Sequence, residues 1–219
     1  MEFRLANETH AEGVAALISL TWGNAADAQW ISTILRHNTN IVWIALDYDD
    51  MVGFCAGFVT TDRFGTLRWE IDLLAVHPST RSRGIGRQLV SRSIQTGRDH
   101  NAVIQRALIA IGNIASERCF AANGFTAEQQ CELWVAAPSA REIVQPAAAT
   151  HLIRVETLTY RGIWVEGNMD AAALKAAQER AHAEGLNTVG MVIPTYVHNE
   201  AQSLGFTHID SYQWWVLEH

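Results

Sequence analysis

Glu70-Ile71-Asp72-Leu73-Leu74-Ala75-Val76-His77-Pro78-Ser79-Thr80-Arg81-Ser82-Arg83-Gly84-Ile85-Gly86-Arg87-Gln88-Leu89-Val90 sets the reading of the rest of the chain. Its first seven residues read as a buried strand. Strict alternation puts Glu70, Asp72, Leu74 and Val76 on one face and Ile71, Leu73 and Ala75 on the other. Pro78 cannot donate to a ladder and stops the strand. Arg81 to Gly86 then leads into an amphipathic run with Leu89, Val90 and Ile94 on one face. The two glycines let backbone come close to a ligand, and the start of a helix offers unpaired N–H groups at the positive end of its dipole. Between Pro78 and Arg98 there are five arginines and no acidic residue, inside a chain of net charge −7. A solvated helix face would explain the arginines alone. Their coincidence with the glycine step favours a phosphate or pyrophosphate site.

Composition bounds the rest. At 219 residues with 48% hydrophobic content, the chain can build one large domain, or one domain and a partial second. The acidic balance argues against non-specific nucleic-acid binding. It suits an amine partner, although solubility alone would account for it. Cys55, Cys119 and Cys131 form no C-x-x-C pair and no metal spacing, so no metal is expected and a reducing compartment is the simple reading. There is no leader pattern and no apolar run near the ~18–20 residues of a membrane helix. These features give the expectation of a soluble cytoplasmic protein. His182, His198 and His208 lack ligand spacing. The eight tryptophans read mainly as core, with Trp22 and Trp30, near the junction of the first two helices, as the two to watch.

The flanking sequence reads as a short strand at Phe3–Leu5, a helix capped by Thr9 and running to about Trp22, and a second helix opened by Asn24 or Asp27. Strands follow at 41–46, 51–60 and 67–76 as a meander. After the helix that follows Gly86 come a strand at 103–111, expected parallel to 70–76 by a right-handed crossover, a helix from Asn113, and a strand at 126–135. Gly124 is placed as a left-handed helix cap, with Phe125 as its hydrophobic contact. Strands at 152–159, 162–165, 188–193 and 209–217, with a helix capped by Asp170 and another begun by Asn199, repeat this order. Gly124-Phe125-Thr126 and Gly205-Phe206-Thr207 are followed at equal distance by Trp134-Val135 and Trp215-Val216. An internal repeat is the reading. The second copy lacks the glycine step, having Gly167-Asn168-Met169-Asp170 and no arginine there. Expected domains are residues 1–137, a linker at 138–150, and a partial repeat at 151–219, which must cover its open strand edge in cis or in a homodimer.

Val76 to Val90 resembles the acyl-coenzyme-A-binding motif of the GNAT superfamily of N-acetyltransferases, Q/R-x-x-G-x-G/A after a strand, filled by Arg81, Gly84 and Gly86. Asn113 and the Asn123-Gly124-Phe125 ending resemble the family's next motif. The likeness covers about residues 1–135 in element order, and 69–126 closely. It implies an α/β fold with a mixed sheet flanked by helices, extended here by the partial GNAT-like repeat. It implies acetyl-coenzyme A as cofactor: Leu74, Ala75 and Val76 would pair with its pantetheine arm, the amides of Arg83, Gly84, Ile85, Gly86 and Arg87 would hold the pyrophosphate, and Asn113 and Phe120 would contact it. The reaction implied is direct attack by a primary amine, of a small molecule or a peptide N-terminus, which profits from a general base. Glu70 is the first candidate and Asp72 the second, against the plainer reading of Glu70 as a carboxylate paired with Arg68 or Arg106. Phe120 stands where many members carry a proton-donating tyrosine. The other class of function left open is therefore an acyl-coenzyme-A-binding sensor or interaction module without catalysis.

Overall fold

The computed structural model describes residues 1–37, 39–140, 145–194 and 199–218. His198 and positions 141–144 of the expected linker lie outside the described residues. Among the described residues ten strands form one sheet. They are β1 (Glu2–Leu5), β2 (Ile41–Asp47), β3 (Asp50–Thr61), β4 (Leu67–Val76), β5 (Ile104–Ala110), β6 (Thr126–Ala136), β7 (Thr150–Glu156), β8 (Arg161–Gly167), β9 (Thr188–Pro194) and β10 (Thr207–Glu218). The helices are α1 (Ala11–Trp22), α2 (Ala28–His37), α3 (Ile85–Asp99), α4 (Ile114–Ala121), α5 (Ala171–Ala183) and α6 (Asn199–Ser203). Among the described residues no helix is long and apolar enough to cross a membrane.

The strand order is β1-β2-β3-β4-β5-β10-β6-β9-β8-β7. Two α/β units of the same plan, β4-α3-β5-α4-β6 and β8-α5-β9-α6-β10, exchange their last strands. β6 follows α4 but pairs with β9, whereas β10 ends the chain beside β5, and the two exchanged strands pair with each other. Each unit would otherwise leave an open edge at β5 or β9, and the exchange covers both. The repeated wording follows this geometry. Gly124 and Gly205 are left-handed at φ 90° and 83°. The amides of Phe125 and Phe206 bond back to Phe120 and Ala201 at 3.2 and 3.0 Å, closing both helices alike. Trp134 then packs with Ile163 and Phe206 in the second unit, and Trp215 packs with Leu89 and Phe125 in the first.

The β7–β8 turn fastens the units a second time. Leu158 is buried in the core that α1 and α2 build over Phe54 and Ala56. The Trp30 indole donates to the Thr157 carbonyl at 2.9 Å, and Asn40 donates to that of Glu156 at 2.8 Å. Trp30 thus joins the two units, and Trp22 lines the main cavity. The start of α1 differs from the sequence expectation. Asn7, not Thr9, accepts the capping amide (3.1 Å) and opens a single 3-10 turn before the helix. Asp27 opens α2, accepting from the amides of Gln29 and Trp30 at 2.9 and 3.1 Å.

β4 departs from strict alternation at one residue. Ile71 pairs with Gly57 and Leu73 with Ala56, so Asp72 has no partner across β3 and forms a bulge. Trp69 and Ile71 pack under α3, whereas Leu73 and Ala75 pack on the α1–α2 side. The extra residue exchanges the faces. Glu70 therefore shares a face with Leu73 and Ala75, and the expectation that it shares one with Leu74 and Val76 is corrected.

Candidate active site

The bulge has a consequence for the neighbouring strand. β4 and β5 pair in parallel at only three positions, Arg68–Ile104, Trp69–Gln105 and Glu70–Arg106. Beyond them the strands part, while Leu74, Ala75 and Val76 stay paired to β3 on their other side. The β5-facing backbone of this segment is thus a strand edge to which an extended amide-bearing arm can add. The opening runs into a cavity of about 770 Å³ walled by residues 70–74 of β4 and 106–110 of β5.

At the far end of β4 the chain makes a short turn over Pro78–Thr80, in which the His77 ring accepts from the Ser79 amide at 3.3 Å. Gly84 then takes φ 76°, a left-handed conformation natural to glycine, and opens α3 with no side-chain cap. The first amides of a helix have no partner within it. Beside them Arg81 donates from Nε to the Val76 carbonyl at 3.4 Å, and Arg83 pairs with Asp47 at 3.0 Å. A Cβ on Gly86 would stand 3.6 Å from both Cys119 Sγ and Val76 Cγ2, so α3, α4 and β4 converge there. Burial pushes the Cys119 thiol up to about 11, against the pull of Arg87. Asn113 caps α4 by accepting from the Ser116 amide (3.3 Å), leaving its Nδ2 donors for a ligand. Phe120 is buried, packs edge-on to Phe125 at 5.0 Å, and lines the cavity. Open amides, an open strand edge and arginines within one turn suit a pyrophosphate on an amide-bearing arm. The second unit lacks the uncapped helix start: the Asp170 carboxylate occupies the start of α5, accepting from the Ala173 amide at 2.9 Å. Among the described residues no cluster of acidic, histidine or cysteine side chains could hold a metal ion.

The two candidate bases differ in surroundings. Glu70 is 2% exposed, and both its oxygens are taken. Arg106 Nε reaches them at 3.0 and 2.8 Å, the Thr60 hydroxyl donates to Oε1, and Arg68 stands 3.5 Å away. Both arginines continue to Glu166 of the second unit, Arg68 at 2.9 Å and Arg106 more closely. Burial would raise the Glu166 carboxyl, but Arg106 and Arg68 hold it below the usual range. Burial likewise opposes the Arg106 charge, and Glu70 and Glu166 override it. The guanidinium also lies over Trp214, 4.3 Å from the ring centroid. Breaking a buried, fully partnered pair costs about 3–5 kcal/mol. Glu70→Gln is therefore expected to lower folding stability by roughly that amount in chemical denaturation, without weakening cofactor binding. Unchanged stability with lost activity would return Glu70 to the role of base.

Asp72 has the opposite setting. It lines the cavity from the bulge, it bonds the Thr157 side chain, and its Oδ2 is buried with no partner among the described residues. Burial raises its carboxyl from 3.8 to about 6; the Thr157 bond opposes this and the Glu70 charge adds to it. The structure brings Glu70, Asp72, Leu74 and Phe120 to one cavity with Asn113. Sequence spacing gave no sign of Glu166 or Trp214, which arrive from the second unit.

Known proteins share this fold. A family model described as "Acetyltransferase (GNAT) family" matches residues 11–125. No curated protein matches the chain in sequence. Among solved structures, a GCN5-related N-acetyltransferase from Sphaerobacter thermophilus superposes over 99% of this chain and 95% of its own, with TM-score 0.60 and 13% identity. The ribosomal-protein-alanine N-acetyltransferase of Brucella melitensis matches 60% of this chain and 88% of its own, with TM-score 0.53 and 21% identity. The yncA protein of Salmonella typhimurium, solved with its cofactor acetyl-CoA, matches 60% of this chain and 83% of its own, with TM-score 0.52 and 21% identity. At these identities the structures speak for the fold, which the first shares across both units. The family model spans more than half of the chain and includes both the parted strands and the uncapped α3, so the chain belongs to the acetyltransferase (GNAT) family.

Proposed function

We propose that the chain is an N-acetyltransferase that moves the acetyl group of acetyl-coenzyme A to a primary amine by direct attack, with one cofactor site per chain. The observation that carries this reading is the parted β4–β5 pair leading to an uncapped α3. Backbone of Leu74, Ala75 and Val76 receives the pantetheine arm. Amides of Arg83 to Arg87, with Arg81 and Arg83 nearby, hold the pyrophosphate, and Asn113 contributes an amide donor. When bound, the cofactor supplies an activated acetyl thioester, so the reaction forms a C–N bond, breaks a C–S bond and needs no covalent enzyme intermediate.

Two protons must be handled. Asp72 is the base: its raised carboxyl is ionised at neutral pH yet close enough to that pH to accept a proton efficiently. Glu70 keeps Arg106 and Arg68 in position. Phe120 has no proton to give to the leaving thiolate. Hydroxyls that line the same cavity on the first unit's side include Ser116, one turn earlier on α4, and Tyr212, opposite Ala110 in the sheet; Thr159 and Tyr160 line it from the second unit. Burial holds the Tyr212 phenol above its ordinary value, so it stays protonated at neutral pH. Phe120 also favours a second reading, an acyl-coenzyme-A-binding module without turnover. Release of free thiol from acetyl-coenzyme A across a set of amines and peptides separates the two. Amine-dependent release supports the enzyme, and tight cofactor binding with no release on any amine leaves only the binding module.

A further inference from the structure

The cavity does not end at the β4–β5 opening. It passes β10 and β6 and reaches β8 and β9, where the second unit's parallel ladder also stops, at Val165 and Met191. In the plan of the repeat this is where a second cofactor arm would lie. It cannot hold a phosphate there. Asp170 fills the start of α5, and a side chain on Gly167 would strike the Ala149 carbonyl. The recess is instead walled by Tyr160, Trp164, Met169 and Met191, with Trp164 fixed edge-on between Tyr160 at 6.2 Å and Phe58 at 5.6 Å.

The charges of the cavity point to what enters it. Its lining carries the carboxylates of Glu70, Asp72, Glu166 and Asp210. Arg106 is the one cation among the described lining residues, and it is committed to Glu70 and Glu166 beneath Trp214. An anionic acceptor finds no free positive partner, whereas a cationic one enters a negative field beside aromatic faces. A volume of about 770 Å³ is that of a small-molecule pocket.

We infer that the β8–β9 recess is the acceptor subsite and takes the aromatic or apolar body of a small primary amine that bears no acidic group, with its nitrogen toward Asp72. This rests on the acetyltransferase reading. The degenerate repeat thus keeps the parted strands and uses them for the acceptor.

The test is free-thiol release by the full chain with acetyl-coenzyme A, with cofactor binding measured in parallel by calorimetry. Burying an aromatic body stabilises by about 1.5–3 kcal/mol, or about 10–150-fold at 1.4 kcal/mol per tenfold. 2-Phenylethylamine should therefore exceed ethylamine in kcat/KM at least tenfold. Phenylalanine, the same body with a carboxylate added, should fall at least tenfold below 2-phenylethylamine. Met169→Trp, which narrows the recess, should raise KM for 2-phenylethylamine at least fivefold and leave the Kd for acetyl-coenzyme A unmoved. Equal turnover of ethylamine and 2-phenylethylamine would overturn the subsite, as would faster turnover of spermidine or of an alanine-initiated peptide; each leaves the acetyltransferase standing. No thiol release on any amine despite bound acetyl-coenzyme A would overturn both.

Discussion

Gly86→Leu should abolish acetyl-coenzyme A binding, with a loss of more than about 100-fold in Kd, or about 2.8 kcal/mol. Gly86→Ala should bind within a few-fold of the unchanged chain. A single methyl at this position meets Cys119 Sγ and Val76 Cγ2 at 3.6 Å and Leu74 Cδ2 at 3.9 Å, all ordinary contacts. It also suits the first turn of α3, where alanine is favoured over glycine by about 1 kcal/mol. Further carbons have nowhere to go but the gap between β4 and α4, which is the path proposed for the cofactor arm. Calorimetric titration of both variants, with circular dichroism to verify folding, makes the check. A folded Gly86→Leu that binds normally would move the cofactor away from this turn.

Asp72→Asn should do two opposite things. Turnover should fall by about 10²–10⁴-fold, the contribution of a positioned base. The rise of kcat/KM with pH, centred at about 6 while Asp72 loses its proton, should disappear. Folding stability should rise. A carboxyl raised from 3.8 to about 6 holds its proton more tightly in the folded chain, so the fold loses stability as pH climbs through that window. Above it, the ionised group costs up to about 3 kcal/mol, at 1.36 kcal/mol for each tenfold in proton affinity. The asparagine variant should recover much of this at pH 8 and almost none at pH 3.5, as read by denaturant midpoints. A variant that is slower but no more stable would mean that burial does not hold the Asp72 charge at a cost. One that is more stable but equally fast would remove it from catalysis.

The glycine turn before α3 is legible in the sequence because its determinants are local. Pro78, the glycines and the arginines act within one turn of chain, and the repeat was visible because the Gly-Phe-Thr caps and the Trp-Val pairs keep their spacing. Three features escaped for physical reasons. The bulge at Asp72 is a property of the β3–β4 register, and nothing in Glu70–Val76 alone marks where a residue drops out of the ladder. The exchange of β6 and β10 depends on which open edge each strand finds, and both strands are apolar enough for either edge. The partners of Glu70 were foreseen in Arg68 and Arg106, but Glu166 lies in the other unit and reaches them only through the strand exchange. Because these long-range pairings decide which carboxylate is tied up and which is strained, the order of candidate bases changes between sequence and structure. Spacing alone favours Glu70; with Glu70 tied to Arg106 and Thr60, the proposed base is Asp72.

One measurement addresses the cofactor site itself: amide hydrogen exchange of the full chain with and without acetyl-coenzyme A. New protection is expected at Leu74–Val76 and at Arg83–Gln88, saturating at one cofactor per chain, with none at Gly167–Ala173. Protection at Gly167–Ala173, or none at Arg83–Gln88 under saturating cofactor, would contradict the proposed site.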